Sequence, residues 1–130
     1  MPIEIGVKNR VEEEVTYERT AASLGSGGQQ VYATPAMVAL MEACCLRSLW
    51  PFLEPGQETV GTKLEIEHVS ATPMGMKVYA ESEIIEVDRK RIVFAVKAYD
   101  EAGLIGQGTH ERFIIQVEKF MAKCQAKKNQ

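Results

Sequence analysis

Glu42, His68 and Thr34 are the residues of this chain whose types and settings could do chemistry. Glu42 has Val38, Ala39, Cys45 and Leu46 one helical turn away, so its carboxylate either lies in apolar surroundings or needs a specific partner, with Arg47 an ordinary one close by. An unpaired carboxylate held there favours its protonated form. His68 follows the alternating run Leu64-Glu65-Ile66-Glu67 and shares a strand face with Leu64 and Ile66, the apolar side that would meet a helix. Imidazole titrates near neutrality and suits proton transfer, although an inward histidine also serves as a hydrogen-bonded core residue. Thr34, just before Pro35, reads as a helix N-cap. The same position would bring a hydroxyl to the positive end of a helix, where free N–H groups can stabilise a developing oxyanion, Pro35 removing one donor. Gly61 could let a ligand approach the backbone closely, Arg112 could bind an anion, and His110 reads as structural.

The elements that must position these groups are legible in the hydrophobic pattern. Thr34-Pro35 opens a helix that runs over Ala36–Trp50 and stops at Pro51. Its residues Met37 to Leu46 leave almost no polar face, which predicts burial nearly all round. Strands are expected over Val60–Val69, Met76–Val87, Arg91–Tyr99 and Leu104–Val117, with breaks at Pro73 and Gly75, Asp88 and Arg89, and Glu101 and Gly103. An earlier strand is expected over Val11–Tyr17, at a sheet edge. The short connections predict a four-strand antiparallel meander joined by that early strand, and so an α+β fold.

Leu24 to Gln30 holds three glycines, yet no apolar strand feeds it and no Lys-Ser or Lys-Thr follows, so it reads as a loop or lid and not as a phosphate cradle. The tail from Lys119 to Lys128 reads as a short basic helix end whose lysines could meet nucleotide phosphates.

Length and composition bound the rest. With 130 residues, 45% of them hydrophobic, the chain can bury one core, and a single domain over 1–130 is expected. A net charge of -3 spread over mixed signs provides no basic field for nucleic acid. No run approaches a membrane span, and Met1-Pro2-Ile3-Glu4 lacks a basic and apolar leader, so a soluble cytoplasmic protein is expected. Cys44, Cys45 and Cys124 have no metal-type spacing and read as reduced, buried thiols, and no metal site is expected. A sheet curled round an apolar helix leaves surface uncovered, which predicts a homodimer.

The run Val31-Tyr32-Ala33-Thr34-Pro35-Ala36-Met37-Val38-Ala39-Leu40-Met41-Glu42-Ala43-Cys44 resembles the helix of the fluoroacetyl-CoA thioesterase family. Leu53-Glu54-Pro55-Gly56, Val60-Gly61-Thr62, His68 with Ala71-Thr72-Pro73, and Gly106-Gln107-Gly108-Thr109-His110-Glu111-Arg112 continue the likeness in the same order. The resemblance implies a hotdog fold, in which an antiparallel sheet wraps a central, mostly buried helix. It also implies a catalytic set of Thr34, Glu42 and His68, with Gly61 and Arg112 contacting substrate. The implied activity is hydrolysis of an acyl-CoA to a carboxylic acid and free CoA, with no cofactor beyond the CoA of the substrate. The family has an aromatic lid near the acyl group, whereas Leu24 to Gly28 here is glycine-rich without phenylalanine, a departure that argues against selectivity for a fluorinated acyl group.

Two other readings share these residues. A non-catalytic acyl-CoA binder would keep the tunnel but use Thr34 only as a cap, and a hotdog hydratase or dehydratase would also need a histidine and an acid near the carbonyl. One geometric constraint follows from the helix: eight residues separate the Thr34 and Glu42 backbones by about 12 Å, farther than one imidazole bridges, so the site could draw on both protomers.

Overall fold

In the computed structural model, which describes residues 2–129, five antiparallel strands form one sheet against one long helix. The strands are β1 (Lys8–Glu14), β2 (Gln57–His68), β3 (Lys77–Asp88), β4 (Arg91–Asp100) and β5 (Leu104–Gln116). The helices are α1 (Ala21–Leu24), α2 (Thr34–Leu49) and α3 (Val117–Gln125). This is the expected α+β arrangement, an antiparallel sheet around a central helix.

The strand order, β1-β3-β4-β5-β2, departs from a simple meander, because β2 does not pair with β3. It crosses to the far side of β5 and pairs there from Gln57↔Gln116 to His68↔Gly106. Alternation shows which face of a strand is buried and is silent about its neighbour. The early strand sits at an edge as expected, but three residues earlier than read, over Lys8–Glu14; Val15 instead turns in to be fully buried.

The core lies between α2 and the concave face of the sheet. Met37, Met41, Cys44, Cys45 and Leu49 of α2 pack there with Val78, Ala80, Ile84, Ile92, Phe94, Val96, Ala98 and Ile105. Gly106 on β5 allows a close approach of helix and sheet: a Cβ there would lie 2.5 Å from the Met37 Sδ and 2.9 Å from the Glu67 carbonyl oxygen. The helix is not buried all round as its composition suggested. Pro35, Ala39 and Arg47 are exposed and Val38, Glu42 and Leu46 half-buried, so one protomer leaves a side of α2 uncovered.

Leu24 closes the one-turn helix α1, Gly25 follows it with φ 72°, and residues 26–30 form an exposed turn. The three cysteines are free; Cys44 and Cys45 are buried as read, while Cys124 is exposed on α3, where the apolar residues Phe120 and Met121 are exposed too. Among the described residues no helix is long and apolar enough to cross a membrane.

Candidate active site

Thr34 is not the cap of α2. Ala33 occupies that position without a side-chain hydrogen bond, Thr34 is the first helical residue and Pro35 the second. Freed from capping, the Thr34 hydroxyl lies 2.7 Å from His68 Nδ1. The pair joins the start of α2 to the last residue of β2, and alternation had placed His68 correctly on the face that meets the helix. Tyr32, two residues upstream, donates its hydroxyl to Glu13 at 2.6 Å and its backbone N–H to the Thr72 carbonyl, tying this end of the helix to β1 and to the segment after β2.

Burial pushes the His68 imidazole below its ordinary titration range, with the Ser70 backbone acting the other way. A neutral histidine can accept the threonine proton at Nδ1, which places its own proton on Nε2. Within the protomer that Nε2 is buried without a hydrogen-bond partner. The pair opens onto a cleft of about 290 Å³ lined by Ala21, Ser26, Val31, Tyr32 and Ala71 among others.

Glu42 belongs to a different group. Arg47, one partner the helix offered, is exposed, and the Glu42 carboxylate instead faces Arg112 on β5, with Oε2 at 3.9 Å from Nη1. Arg112 is buried and held by Thr59, donating from Nε to the hydroxyl and from Nη2 to the carbonyl, both at 2.8 Å. Gly61 sits against this group: a Cβ added there would lie 3.0 Å from His110 Cε1, 3.1 Å from Glu42 Oε2 and 3.4 Å from Arg112 Nη1. The pairing of β2 with β5 shifts register between Gly61 and Lys63, and Thr62 donates to Glu111 at the break. A cleft of about 270 Å³ opens between Glu42, Gly61, Leu64 and His110.

The five residues singled out in the sequence therefore form two clusters in one protomer, Thr34 with His68 and Glu42 with Gly61 and Arg112. Seven residue steps along β2 lead from Gly61 to His68, a span of roughly 23 Å. Thr59 and His110 complete the second cluster. Thr59 carried no signal in the sequence, and His110 read as structural, its neighbours Thr109, Glu111, Gly108 and Arg112 giving no sign of its partners. Among the described residues no group of three or more His, Cys, Asp or Glu is placed to hold a metal ion.

A hydroxyl paired with a desolvated imidazole at a helix start, on a sheet wrapped around that helix, is the arrangement of a hotdog-fold acyl-transfer protein, and comparison with known proteins makes the class specific. A hot-dog-like protein from Thermanaerovibrio acidaminovorans superposes with a TM-score of 0.87 at 20% identity, covering 96% of this chain and 93% of that one, which shows the fold. A solved threonine-to-serine variant of the fluoroacetyl-CoA thioesterase FlK in complex with acetyl-CoA matches at a TM-score of 0.92 and 35% identity, covering 96% of this chain and 98% of that one. The fluoroacetyl-CoA thioesterase of Streptantibioticus cattleyicolor is 44% identical over 98 residues, covering 75% of this chain and 70% of the relative. The family model described as fluoroacetyl-CoA-specific thioesterase matches residues 15–118, and the chain belongs to that family.

Proposed function

We propose that this protein hydrolyses acyl-CoA thioesters to a carboxylic acid and free CoA, using Thr34, His68 and Glu42, with Gly61 and Arg112 contacting the substrate. The observation that carries this reading is the 2.7 Å contact between the Thr34 hydroxyl and His68 Nδ1. A threonine hydroxyl becomes a useful nucleophile only beside a base, and here the base lies within hydrogen-bond reach and is biased toward its neutral form.

In the direct route, Thr34 Oγ1 attacks the thioester carbonyl as its proton passes to His68, and the thiolate of CoA leaves, taking that proton. Water then cleaves the threonine ester, with His68 again receiving and returning a proton. In the alternative route Thr34 positions a water molecule that attacks directly. Rapid-quench trapping of an acyl group on Thr34 distinguishes the two. Neither route calls for a cofactor other than the CoA of the substrate.

The separation of the two clusters argues for a site shared by two protomers. β2 is an edge strand of the sheet, and Gly61, Thr62, Lys63, Leu64 and Glu65 in its middle are exposed. Antiparallel pairing of two β2 strands about a twofold axis between Leu64 and Glu65 would set Gly61 opposite the partner's His68, since the two numbers then sum to the same value as 64 and 65. That register brings Glu42, Gly61 and Arg112 of one protomer to the Thr34–His68 pair of the other. The reading thus includes a homodimer, and its free thiols suit the reducing cytoplasm.

Release of free thiol from a panel of acyl-CoAs, from acetyl to long-chain and aryl, tests the reaction with His68→Ala as control. Folded protein that binds the panel without turnover would mean an acyl-CoA binder instead. Mixing Thr34→Ala with Glu42→Ala protein tests the shared site: mixed dimers regain activity if one site uses both chains, and confirmed mixed dimers without activity would place the set in one protomer.

A further inference from the structure

His110 lies outside the set assigned above, yet its two ring nitrogens are committed in a way that fixes its chemistry. Nδ1 lies 2.9 Å from the Lys63 carbonyl oxygen, and Nε2 lies 3.1 Å from Arg112 Nη1. A carbonyl has no proton to give, so Nδ1 carries the hydrogen. A guanidinium has no lone pair to offer, so Nε2 is the acceptor. Both contacts demand the same neutral tautomer, and at 1% exposure the ring has no access to bulk water. His110 is therefore not a second acid or base for the reaction.

The contact it makes to Arg112 is the one on the substrate side. Thr59 holds Nε and Nη2 of that guanidinium from β2, which leaves Nη1 as the end that faces Glu42 at 3.9 Å and borders Gly61. The guanidinium is rigid and planar, so the bond from Nη1 to His110 Nε2 is the third that holds it and restrains rotation of the plane about the two Thr59 contacts. A cation at His110 would be worse than no residue, because it would set a donor against a donor and one positive charge 3.1 Å from another.

We infer that His110 is a positioning residue: locked with its proton on Nδ1, it accepts from Arg112 Nη1 and so aims the guanidinium at Glu42 and at the substrate cleft beside Gly61. The functional part rests on the proposed thioesterase reading; the positioning part does not. Burial and the adjacent Arg112 both hold the imidazole below its usual range, which agrees with a ring kept neutral, the Lys63 carbonyl, Glu42 and Glu111 acting the other way.

The chain's own geometry supplies two discriminating variants. The amide end of glutamine reaches the place of Nε2 and can accept from Arg112, whereas that of asparagine reaches the place of Nδ1 and keeps only the bond to Lys63. Loss of a hydrogen bond to a charged group predicts that His110→Asn raises KM for acyl-CoA on the order of tenfold. His110→Gln should recover most of that loss, and His110→Asn should add little in an Arg112→Gln background. A residue that merely fills space would give equal KM changes in the two variants and an undiminished effect without Arg112; either result overturns the inference. Nitrogen-15 NMR decides the positioning without turnover: the wild type should show Nδ1 protonated, with the Arg112 Nη1 protons protected from exchange in the wild type and in His110→Gln but not in His110→Asn, while the Nε proton held by Thr59 stays protected in all three. If the wild type hydrolyses no acyl-CoA while these spectra come out as expected, the thioesterase reading fails alone. A wild-type ring protonated on Nε2 would sink the positioning role by itself.

Discussion

The Thr34 hydroxyl and His68 Nδ1 sit 2.7 Å apart, joining the first residue of α2 to the last residue of β2. Neither side chain supports the core, so removing either should leave the fold and abolish the chemistry. Thr34→Ala and His68→Ala are each expected to lower kcat/KM by roughly 10²–10⁴-fold, the usual worth of a positioned acid–base group, with circular dichroism unchanged. Thr34→Ser, which keeps the hydroxyl, should recover a large part of the loss. Full turnover by His68→Ala would remove the histidine from the mechanism.

The pH profile follows from the same pair. His68 works as a base only when neutral, and burial pulls its titration below the ordinary imidazole value of about 6.5. The rate should therefore fall as pH drops through a value under about 6.5 and stay level from there to neutrality. Stability shifts in the same direction. His68 and His110 both bind protons less readily folded than unfolded, so their contribution is complete above the unfolded value of about 6.5 and is lost as pH falls below it. An acid limb centred above that value would contradict the desolvated base.

Gly61→Ala is a sharper probe of the second cluster than any charge removal. The added methyl would lie 3.0 to 3.4 Å from His110, Glu42 and Arg112, tighter than ordinary contact. Displacing these groups by a fraction of an ångström should cost about tenfold or more in kcat/KM. Because the methyl presses on buried His110 and Arg112, a modest fall in melting temperature should accompany the kinetic loss. Wild-type kinetics in this variant would detach Gly61 from the site.

Gly106→Ala should show the opposite pattern. Its Cβ would fall 2.5 Å from the Met37 sulfur and 2.9 Å from the Glu67 carbonyl oxygen, so the Met37 side chain must re-seat and the β2 backbone must give to admit it. A loss of about 1–3 kcal/mol on denaturant unfolding is expected, as for other overpacked cores. Because Gly106 lies opposite His68 in the sheet, activity should suffer too.

Acyl selectivity follows from the small residues above the Thr34–His68 pair. Ala21, Ser26, Val31 and Ala71 line that cleft, with Tyr32 its one aromatic residue and no phenylalanine. Acetyl-CoA and fluoroacetyl-CoA should therefore be hydrolysed within about an order of magnitude of one another, the range that shape alone supplies in such a pocket. A preference of several orders of magnitude for the fluorinated substrate would overturn this.

Helix α2 was readable because its start, stop and apolar run agree, and the four later strands because alternation and turn residues recur on schedule. His68 could be placed on its face by counting twos. The crossing of β2 to the far edge could not be read, since a strand's pattern specifies a face and leaves its neighbour open. Thr34 shows the limit of local rules: a hydroxyl before proline has a complete explanation as a cap, and only the approach of β2 from 34 residues away gives it another partner. Arg112 as the partner of Glu42 was hidden for the same reason, the helix offering Arg47 nearby while the sheet delivers a residue 70 positions on.

If two copies pair through β2 as proposed, the open edge of that strand would tie catalysis to concentration. Twelve residues of strand present one unpaired row of backbone donors and acceptors, with charged Lys63 and Glu65 in the middle. A protein that closes this edge only by meeting its twin should lose specific activity on dilution, and each dissociated protomer offers a template for unrelated strands. In that dimer the backbone that completes the enzyme would also be its principal route to aggregation, and the amount of protein a cell makes would set which of the two prevails.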